Sequence, residues 1–321
     1  MKINQYALVD DTLREGPFPA ESLAEGPSQP GESWYDVSQA EPDALLRFLA
    51  PLTLHPLVLD RCLKPANDPS VLSIGQAVLL EFPAATDRTD LTPTYITILL
   101  HGPVLVTIRR SPVPAIESLI EEFRAGKMPP VHHLPQLVFL ILDHLADANV
   151  DAELAVRDQI ANVAEKLTEK SESVTAGDLA RLRSQVDDLV SLIENQLYCI
   201  AGLNASDNDT LQEPHRKAYI QDMVAEAEIA QRSVYRLENR MTDLYTLYQM
   251  MGNDRVEKRL RILTIVSATT LPLALLTGIL GMNVGGLPGT DNPNAFLVVM
   301  IVMAIIAVAE LAYFVRKGWF T

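Results

Sequence analysis

Two long apolar runs close the chain, and their length gives the first structural prediction. Residues 262–280 carry no charged side chain, and residues 295–315 carry only Glu310. A helix of about 20 residues spans roughly 30 Å, which is the thickness of the hydrocarbon core of a bilayer. Both runs are therefore predicted to be transmembrane helices. Because two helices cannot enclose water, the chain must assemble with further copies if it transports anything.

The basic residues that flank the two runs predict their orientation. They lie before the first run and after the second, at Arg255, Lys258, Arg259, Arg261, Arg316 and Lys317. The linking residues 284–294 contain no Lys or Arg. By the positive-inside rule, the large N-terminal part and the basic tail 316–321 face the cytoplasm, and 284–294 form an external loop.

Net charge and cysteine content narrow the class of protein. The 321 residues carry a net charge of -15, which argues against a nucleic-acid partner and suits a protein that handles cations. Cys62 and Cys199 lie far apart, within apolar patterns and in a reducing compartment, so we expect buried core residues rather than a disulfide or a zinc site. The common catalytic and nucleotide-binding motifs are absent from the sequence, so we expect neither enzyme activity nor a cofactor.

Mixed patterns in the first 130 residues predict an α/β cytosolic domain. Residues 1–33 are rich in Pro, Gly and Ser and are predicted to be an irregular lead with a short strand at 6–9. The domain proper, 34–130, has a helical pattern at 42–49 and apolar runs at 77–82, 95–100 and 104–108. The β-branched residues of these runs and the Gly and Pro residues around them predict strands. The sequence His101-Gly102-Pro103 predicts a hairpin turn between the last two runs.

The remaining cytosolic part is predicted to be helical. Residues 131–213 contain two helical patterns, 134–172 and 176–202, in which apolar residues recur every three or four positions. A third pattern begins at residue 214 and continues into the first apolar run. We predict one helix of some sixty residues, 214–280, about 100 Å long. Its part 214–261 would be a stalk, and 262–283 would form the first transmembrane segment.

The residues that end the first span carry a resemblance to a known family. A Gly281-Met282-Asn283 tripeptide that closes the first of two C-terminal spans, behind a long helix and an α/β domain, resembles the CorA superfamily of divalent-cation channels. Residues 281–289 are similar to its zinc-transporting branch, because Leu280 and Val284 replace the aromatic residues typical of magnesium channels. The resemblance implies a CorA-like funnel, a homopentamer in the lipid bilayer of the bacterial inner membrane, and transport of divalent metal ions.

Gly281, Met282 and Asn283 are predicted to form the selectivity mouth. A ring of Asn283 amide oxygens can accept hydrogen bonds from the water shell of a divalent ion without stripping that shell, which leaves binding weak enough for release. The structural alternative is a helix C-cap with Gly or Asn in the left-handed conformation.

A stripe of small and hydroxylated residues on the first span predicts the pore lining. These residues lie three or four apart, and two large apolar residues continue the stripe below them; the set is Ser267, Thr270, Ala274, Thr277, Leu263 and Leu260. Rings of Leu260 and Leu263 could gate by dewetting. Close helix packing would use the same small residues, and Leu271 and Gly278 would line the pore if the phase differs by one.

Five further residues are candidates for titration or metal binding. Glu310 is an intramembrane acid, for which an interfacial ion pair with Lys317 or Arg261 is favoured over proton transfer. On a helix of the cytosolic part, Asp143, Asp147 and Asp151 recur every four residues beside His144. Such ligands suit zinc or magnesium, although a solvated helix face is the favoured interpretation.

These patterns favour a transporter of Zn²⁺, with Cd²⁺, Ni²⁺ and Co²⁺ as related ions and with proton coupling left open. Two alternatives remain: a magnesium channel of the same architecture, and a membrane-anchored sensor or interaction protein whose stalk assembles partners.

Overall fold

The computed structural model describes residues 1–16, 18, 26–27, 31–86, 91, 93–169, 173–206, 208–211, 216–282 and 293–319. These residues divide into two compact units, Met1–Leu244 and Tyr245–Thr321. Asn283 of the predicted mouth lies outside the described residues, as do 284–292 of the predicted loop.

The first unit begins with strands and ends with helices. Its strands are β1 (Lys2–Val9), β2 (Thr12–Gly16), β3 (Ser33–Ser38), β4 (Ser70–Ile74), β5 (Ala77–Ala85), β6 (Pro93–His101) and β7 (Val104–Arg109). Its helices are α1 (Pro42–Leu49), α2 (Pro56–Leu63), α3 (Pro114–Arg124), α4 (Leu134–Glu169) and α5 (Ala176–Ala205), and short 3₁₀ turns lie at Ala50–Leu52 and Asp209–Leu211. The long helix α6 (Arg216–Leu280) starts in this unit, and α7 (Ala295–Arg316) belongs to the second.

The seven strands form one mixed sheet in the order β2-β1-β3-β7-β6-β5-β4. Strands β3 and β7 run parallel, and the other neighbours are antiparallel. Alternate residues of β5 and β6 enter two cores because side chains of a strand point to opposite faces. Val78, Leu80 and Phe82 pack with α3, α4 and α5, whereas Ala77 and Leu79 pack with α1 and α2. The sheet is therefore the middle of three layers.

A buried polar chain joins the two parallel strands. The Asp36 carboxylate of β3 accepts hydrogen bonds from Arg109 Nη2 at 2.7 Å and from Thr107 Oγ1 at 2.9 Å, both on β7. Trp34 Nε1 donates to Thr107 Oγ1 at 3.1 Å. The side chains of Asp36 and Arg109 are 0% and 7% exposed, so each charge depends on the other for compensation.

The short strand predicted at 6–9 is confirmed as part of β1, but the irregular structure predicted for the rest of residues 1–16 is wrong. Strands β1 and β2 form a hairpin in which Val9 pairs with Thr12, so the sheet begins at Lys2 and not at residue 34. The two-residue turn needs left-handed backbone, which Asp10 and Asp11 adopt at φ 50° and 57°. Asp tolerates this conformation better than most residues, but an Asp-Asp pair is a weak turn signal.

The other predicted elements are largely confirmed. Helix α1, strands β5, β6 and β7, and the turn at Gly102 with φ 55° lie where the patterns place them. The long helix α6 has 65 residues, about 98 Å at 1.5 Å per residue, and Pro272 lies inside it without ending it. The patterns missed the eight-residue helix α2 and strand β4. Residues 170–172 and 214–215, predicted as helix ends, lie outside the described residues.

Both cysteines are buried core residues, as predicted. Cys62 packs with α1 and α2, and Cys199 packs in the other core and donates to the carbonyl oxygen of Glu81. Burial raises the pKa of each thiol to about 12. Both thiols are therefore unreactive near neutral pH.

Candidate ion pathway

The second unit holds the two helices that the sequence predicts to span the membrane. Both are long and apolar enough to cross a bilayer, and only 6% of the most apolar window of α6 and 0% of that of α7 are buried. A core helix of a soluble protein would hide such residues, whereas lipid or further copies cover them in a membrane. The exposed apolar faces therefore fit membrane-spanning helices.

Each of these helices has one less exposed seam. On α7 the seam residues recur every three or four positions, at Ala295, Val299, Met303, Ile306, Ala307, Glu310 and Phe314. On the apolar part of α6 they are Arg261, Ile265, Ala268, Thr269, Pro272, Leu273 and Leu276. This spacing keeps residues on one face of a helix, so each seam is the face turned towards the rest of this unit.

The six predicted pore residues lie off this seam, on exposed positions of α6. They are Leu260, Leu263, Ser267, Thr270, Ala274 and Thr277, which we call the α6 stripe. Ile265 of the seam is 7% exposed, whereas Leu263 is 61% exposed. Leu271 and Gly278, the alternatives for a shifted phase, are exposed as well. The single chain thus leaves the α6 stripe free for other molecules, and its role in a pore stays a prediction.

The hydroxyl groups of this segment are turned onto their own helix. Thr270 Oγ1 donates to the Val266 carbonyl oxygen at 2.7 Å, and Thr277 Oγ1 donates to that of Ala274 at 2.9 Å. Thr269, on the seam, makes the same kind of bond to Ile265 at 2.9 Å. A hydroxyl that has given its proton to the backbone keeps only acceptor lone pairs for other partners. On the α6 stripe these oxygens therefore present acceptors.

The first residues of the predicted mouth come directly after the end of α6. Gly281 N–H donates to the Thr277 carbonyl oxygen at 2.9 Å, and a Cβ at Gly281 would lie 3.0 Å from that same oxygen. The φ angle of Gly281 is not positive, so this residue is not a left-handed helix cap. Met282 is 55% exposed. Gly281 is favoured at this position because a side chain would come too close to the Thr277 carbonyl oxygen.

Glu310 lies on the α7 seam, and the structure gives it neither of the ion pairs considered from the sequence. Its Oε2 atom is buried and, among the described residues, has no hydrogen-bond partner. Arg261 Nη2 pairs with Glu257 Oε1 at 2.6 Å, and Lys317 Nζ lies 5.4 Å from the centre of the Tyr313 ring. Both cations that could have neutralised this carboxylate are occupied elsewhere.

Three of the four cytosolic candidates on α4 line one cavity. His144, Asp147 and Asp151 line a cavity of about 450 Å³ whose other walls are mostly alanine side chains from β5, α3 and α4. Asp143 instead lies close to Asp222 of α6. Within the part of the chain that the structure describes, no group of three or more His, Cys, Asp or Glu side chains is placed to hold a metal ion. The metal site considered for Asp143, Asp147, Asp151 and His144 stays a prediction.

Two acids that the sequence analysis missed complete a cluster around Asp143. Burial raises the pKa of Asp143, and the nearby carboxylates of Asp147 and Asp222 raise it further. Burial also raises the pKa of Glu226, with contributions from Asp143, Asp222 and Asp147. The sequence does contain a sign of these two acids, because residues 222 and 226 repeat the four-residue spacing of 143 and 147. Only the packing of α6 against α4 shows that the two pairs meet.

Comparison with known proteins identifies the family to which the chain belongs. An α/β unit followed by a long helix and two C-terminal apolar helices is the architecture of a membrane transporter of divalent cations. The chain belongs to the family described as CorA-like Mg²⁺ transporter protein, whose model matches residues 31–317.

Relatives within the family differ in the metal that their names state. The chain is 24% identical to the putative metal ion transporter YfjQ of Bacillus subtilis, over 91% of this chain and 92% of that protein. It is 24% identical to the divalent cation transporter CmaX of Pseudomonas aeruginosa, over 90% and 88%. It is 21% identical to the zinc transport protein ZntB of Pectobacterium atrosepticum, over 78% and 76%.

Solved structures confirm the fold. The CorA magnesium transporter of Methanocaldococcus jannaschii superposes with a TM-score of 0.85 at 16% identity, over 99% of both chains. The predicted fold class, an α/β domain with a long helix and two C-terminal spans, is therefore confirmed.

Proposed function

We propose that the chain assembles as a homopentamer and passes Zn²⁺, and related ions such as Cd²⁺, Ni²⁺ and Co²⁺, through a central pore lined by the α6 stripe. Gly281, Met282 and Asn283 form its outer mouth. The large first unit and both termini face the cytoplasm, as the flanking basic residues favour. Membership of the family supports divalent cation transport, and the choice of metal and the stoichiometry are part of this proposal.

The orientation of the threonine hydroxyls carries the proposal. A hydrated divalent cation presents the hydrogen atoms of its water shell, so a wall of acceptor oxygens favours it and a wall of donors would not. Thr270 and Thr277 have given their protons to the carbonyls of Val266 and Ala274. Their oxygens meet that requirement without leaving a polar group unsatisfied in the membrane. The α6 stripe can therefore guide a cation that keeps its water shell.

The lower end of the α6 stripe supplies a candidate gate. Leu260 and Leu263 are exposed and apolar, and they lie about two turns and one turn below Ser267. Rings of such side chains around an axis expel water when they close, and a hydrated ion cannot cross a dry constriction.

Zinc is preferred over magnesium because of the residues beside the mouth. Leu280 and Val284 stand where magnesium channels of the family carry aromatic residues, and one group of relatives is named for zinc transport. Magnesium is the second candidate, supported by the description of the family and by the fold neighbour from Methanocaldococcus jannaschii.

Metal uptake by liposomes that contain the purified protein tests the proposal. A negative internal potential pulls a divalent cation inward with about 4.6 kcal/mol per 100 mV, so uptake needs no nucleotide. We expect Zn²⁺ uptake well above that of Mg²⁺, and none in protein-free liposomes. Faster Mg²⁺ uptake would instead identify a magnesium channel. No uptake of any divalent ion would favour the anchored sensor.

A further inference from the structure

Among the described residues of the second unit, Glu310 carries a buried side-chain oxygen atom that has no hydrogen-bond partner. Six residues, about 9 Å of helix, separate it from Arg316 at the end of α7, so it lies within the apolar segment. Its Oε2 atom is buried, and no donor among the described residues reaches it. The hydroxyl of Thr269 on the α6 seam is no substitute, because its proton goes to the Ile265 carbonyl.

The charged groups of both helices leave this carboxyl alone. On α6, Arg261 pairs with Glu257 at 2.6 Å. On α7, Lys317 lies over the ring of Tyr313, and Arg316 is exposed at the helix end. An unpaired anion within the hydrocarbon region is strongly disfavoured, whereas a neutral carboxylic acid is tolerated. A bound proton is the simplest compensation that the surroundings allow.

We propose that Glu310 is a proton-binding site of the membrane unit. Binding forms one O–H bond, release breaks it, and water supplies and accepts the proton, so the exchange needs no other reagent. If the proposed metal transport is correct, this exchange gives the flux its dependence on a pH gradient. The dependence of flux on a pH gradient rests on the proposed function, whereas the proton-binding site does not.

Modification by dicyclohexylcarbodiimide tests the site without any transport. This apolar reagent enters bilayers and adds a protonated carboxyl across a C=N bond, with the carboxyl proton passing to nitrogen. Wild-type protein in liposomes is treated over a range of pH, and the modified peptides are mapped by mass spectrometry. Glu257 is the matched control, because it is the acid of the neighbouring helix and is already paired with Arg261.

We expect modification of Glu310 to exceed that of Glu257 by about tenfold and to fall as the pH rises. No modification of Glu310, or modification that does not change with pH, would overturn the proposal. Because this measurement uses wild-type protein, it decides the question even if no metal is transported.

Flux at fixed membrane potential, with and without a pH step, tests the consequence for transport. We expect the step to change Zn²⁺ flux in wild type, to have no effect in Glu310→Gln, and to act again in Glu310→Asp, which restores an acid. An equal response of wild type and Glu310→Gln would exclude Glu310 as the group that couples protons to metal. If the wild-type protein shows no Zn²⁺ flux under any condition, that result would instead contradict the proposed function.

Discussion

In the first unit, several buried polar side chains pair between elements, whereas in the second the threonine hydroxyls bond within a single helix. Asp36 and Arg109 join two strands, and Asn149 of α4 donates to Gln196 of α5, which in turn donates to the carbonyl oxygen of Pro83 in the sheet. In the second unit, Thr264, Thr269, Thr270 and Thr277 all bond to carbonyls one turn back on α6. Substitutions should therefore affect the fold in the first unit and conduction in the second.

The difference follows from the solvent around each unit. In water, exposed polar groups cost little, so the first unit can place its few buried polar groups where they connect layers. In lipid, a backbone or hydroxyl group without a partner costs much more, and a helix can satisfy its own. Glu310 departs from both patterns, which is why it is assigned to proton binding.

The largest functional effect is expected at the mouth. Asn283→Ala should abolish divalent-cation flux and leave the assembly intact, because an oxygen ring is lost from a solvent-filled opening where truncation costs little packing. Flux in liposomes and size-exclusion chromatography in detergent measure the two effects. Normal zinc flux in a correctly assembled variant would remove Asn283 from the selectivity mouth.

The largest effect on stability is expected at the buried pair of the sheet. Asp36→Ala should cost about 3–5 kcal/mol of unfolding free energy because it leaves the Arg109 guanidinium buried without its main partner. Urea unfolding can be followed by the fluorescence of Trp34 in a Trp319→Phe background.

Glu117→Ala is the matched control, since Glu117 pairs with the same arginine at 3.3 Å from a side chain that is 56% exposed. That change should cost about 1 kcal/mol or less. Equal costs for the two variants would show that Asp36 does not compensate the buried charge of Arg109.

Cysteine accessibility should separate the two faces of α6. Cysteines at Ser267, Thr270, Ala274 and Thr277 should react with water-soluble thiol reagents, and those at Ile265, Val266 and Leu275 should not. Because the native thiols are buried with a pKa of about 12, they need not be removed. The opposite labelling pattern would move the pore to another face of the helix.

The smallest effect is expected in the acidic cluster of the first unit. The pKa of Asp143 is raised by burial and by its neighbours, so the folded protein holds this proton more tightly than the unfolded chain. Its contribution to stability is complete below the unfolded pKa of about 4 and is lost as the pH rises through the folded value.

Asp143→Asn should therefore raise the melting temperature slightly near neutral pH and flatten its dependence on pH. Glu165→Gln, at an exposed acid of the same helix, should leave the pH profile of wild type unchanged. A profile that is the same in Asp143→Asn as in wild type would contradict the shifted pKa.

Long elements could be predicted from the sequence because their periodicity extends over many residues. Helix α6 is defined by repeated spacing, the two C-terminal spans by their apolar length, and the buried strands β5 to β7 by shorter apolar runs. The hairpin of β1 and β2 was missed because it depends on the backbone of Asp10 and Asp11, which an Asp-Asp pair signals weakly.

The residues of the candidate ion pathway also differ in how far the sequence alone predicts them. The α6 stripe follows from helical phase alone, and every member is exposed in the structure. The unpaired state of Glu310 could not be predicted, because Arg261 and Lys317 are within reach in the sequence and only their actual contacts show that they are occupied. The meeting of Asp143 with Asp222 likewise depends on how two distant helices pack.

In the proposed pathway, acceptor oxygens on the α6 stripe guide the metal ion, and one matched pair of variants separates this role from a purely structural one. Thr270→Val and Thr269→Val each remove a hydroxyl that bonds to a carbonyl four residues back, and valine keeps the shape of the side chain. Only Thr270 lies on the α6 stripe; Thr269 lies on the seam. The two changes therefore differ only in the face of the helix that they alter.

Zn²⁺ flux should be measured for both variants in liposomes at equal protein content. We expect Thr270→Val to lower the flux by about tenfold, which corresponds to about 1.4 kcal/mol lost in total from the contacts between the ring and the hydrated ion, and Thr269→Val to retain nearly wild-type flux. Equal flux in the two variants, or a larger loss in Thr269→Val, would contradict the account.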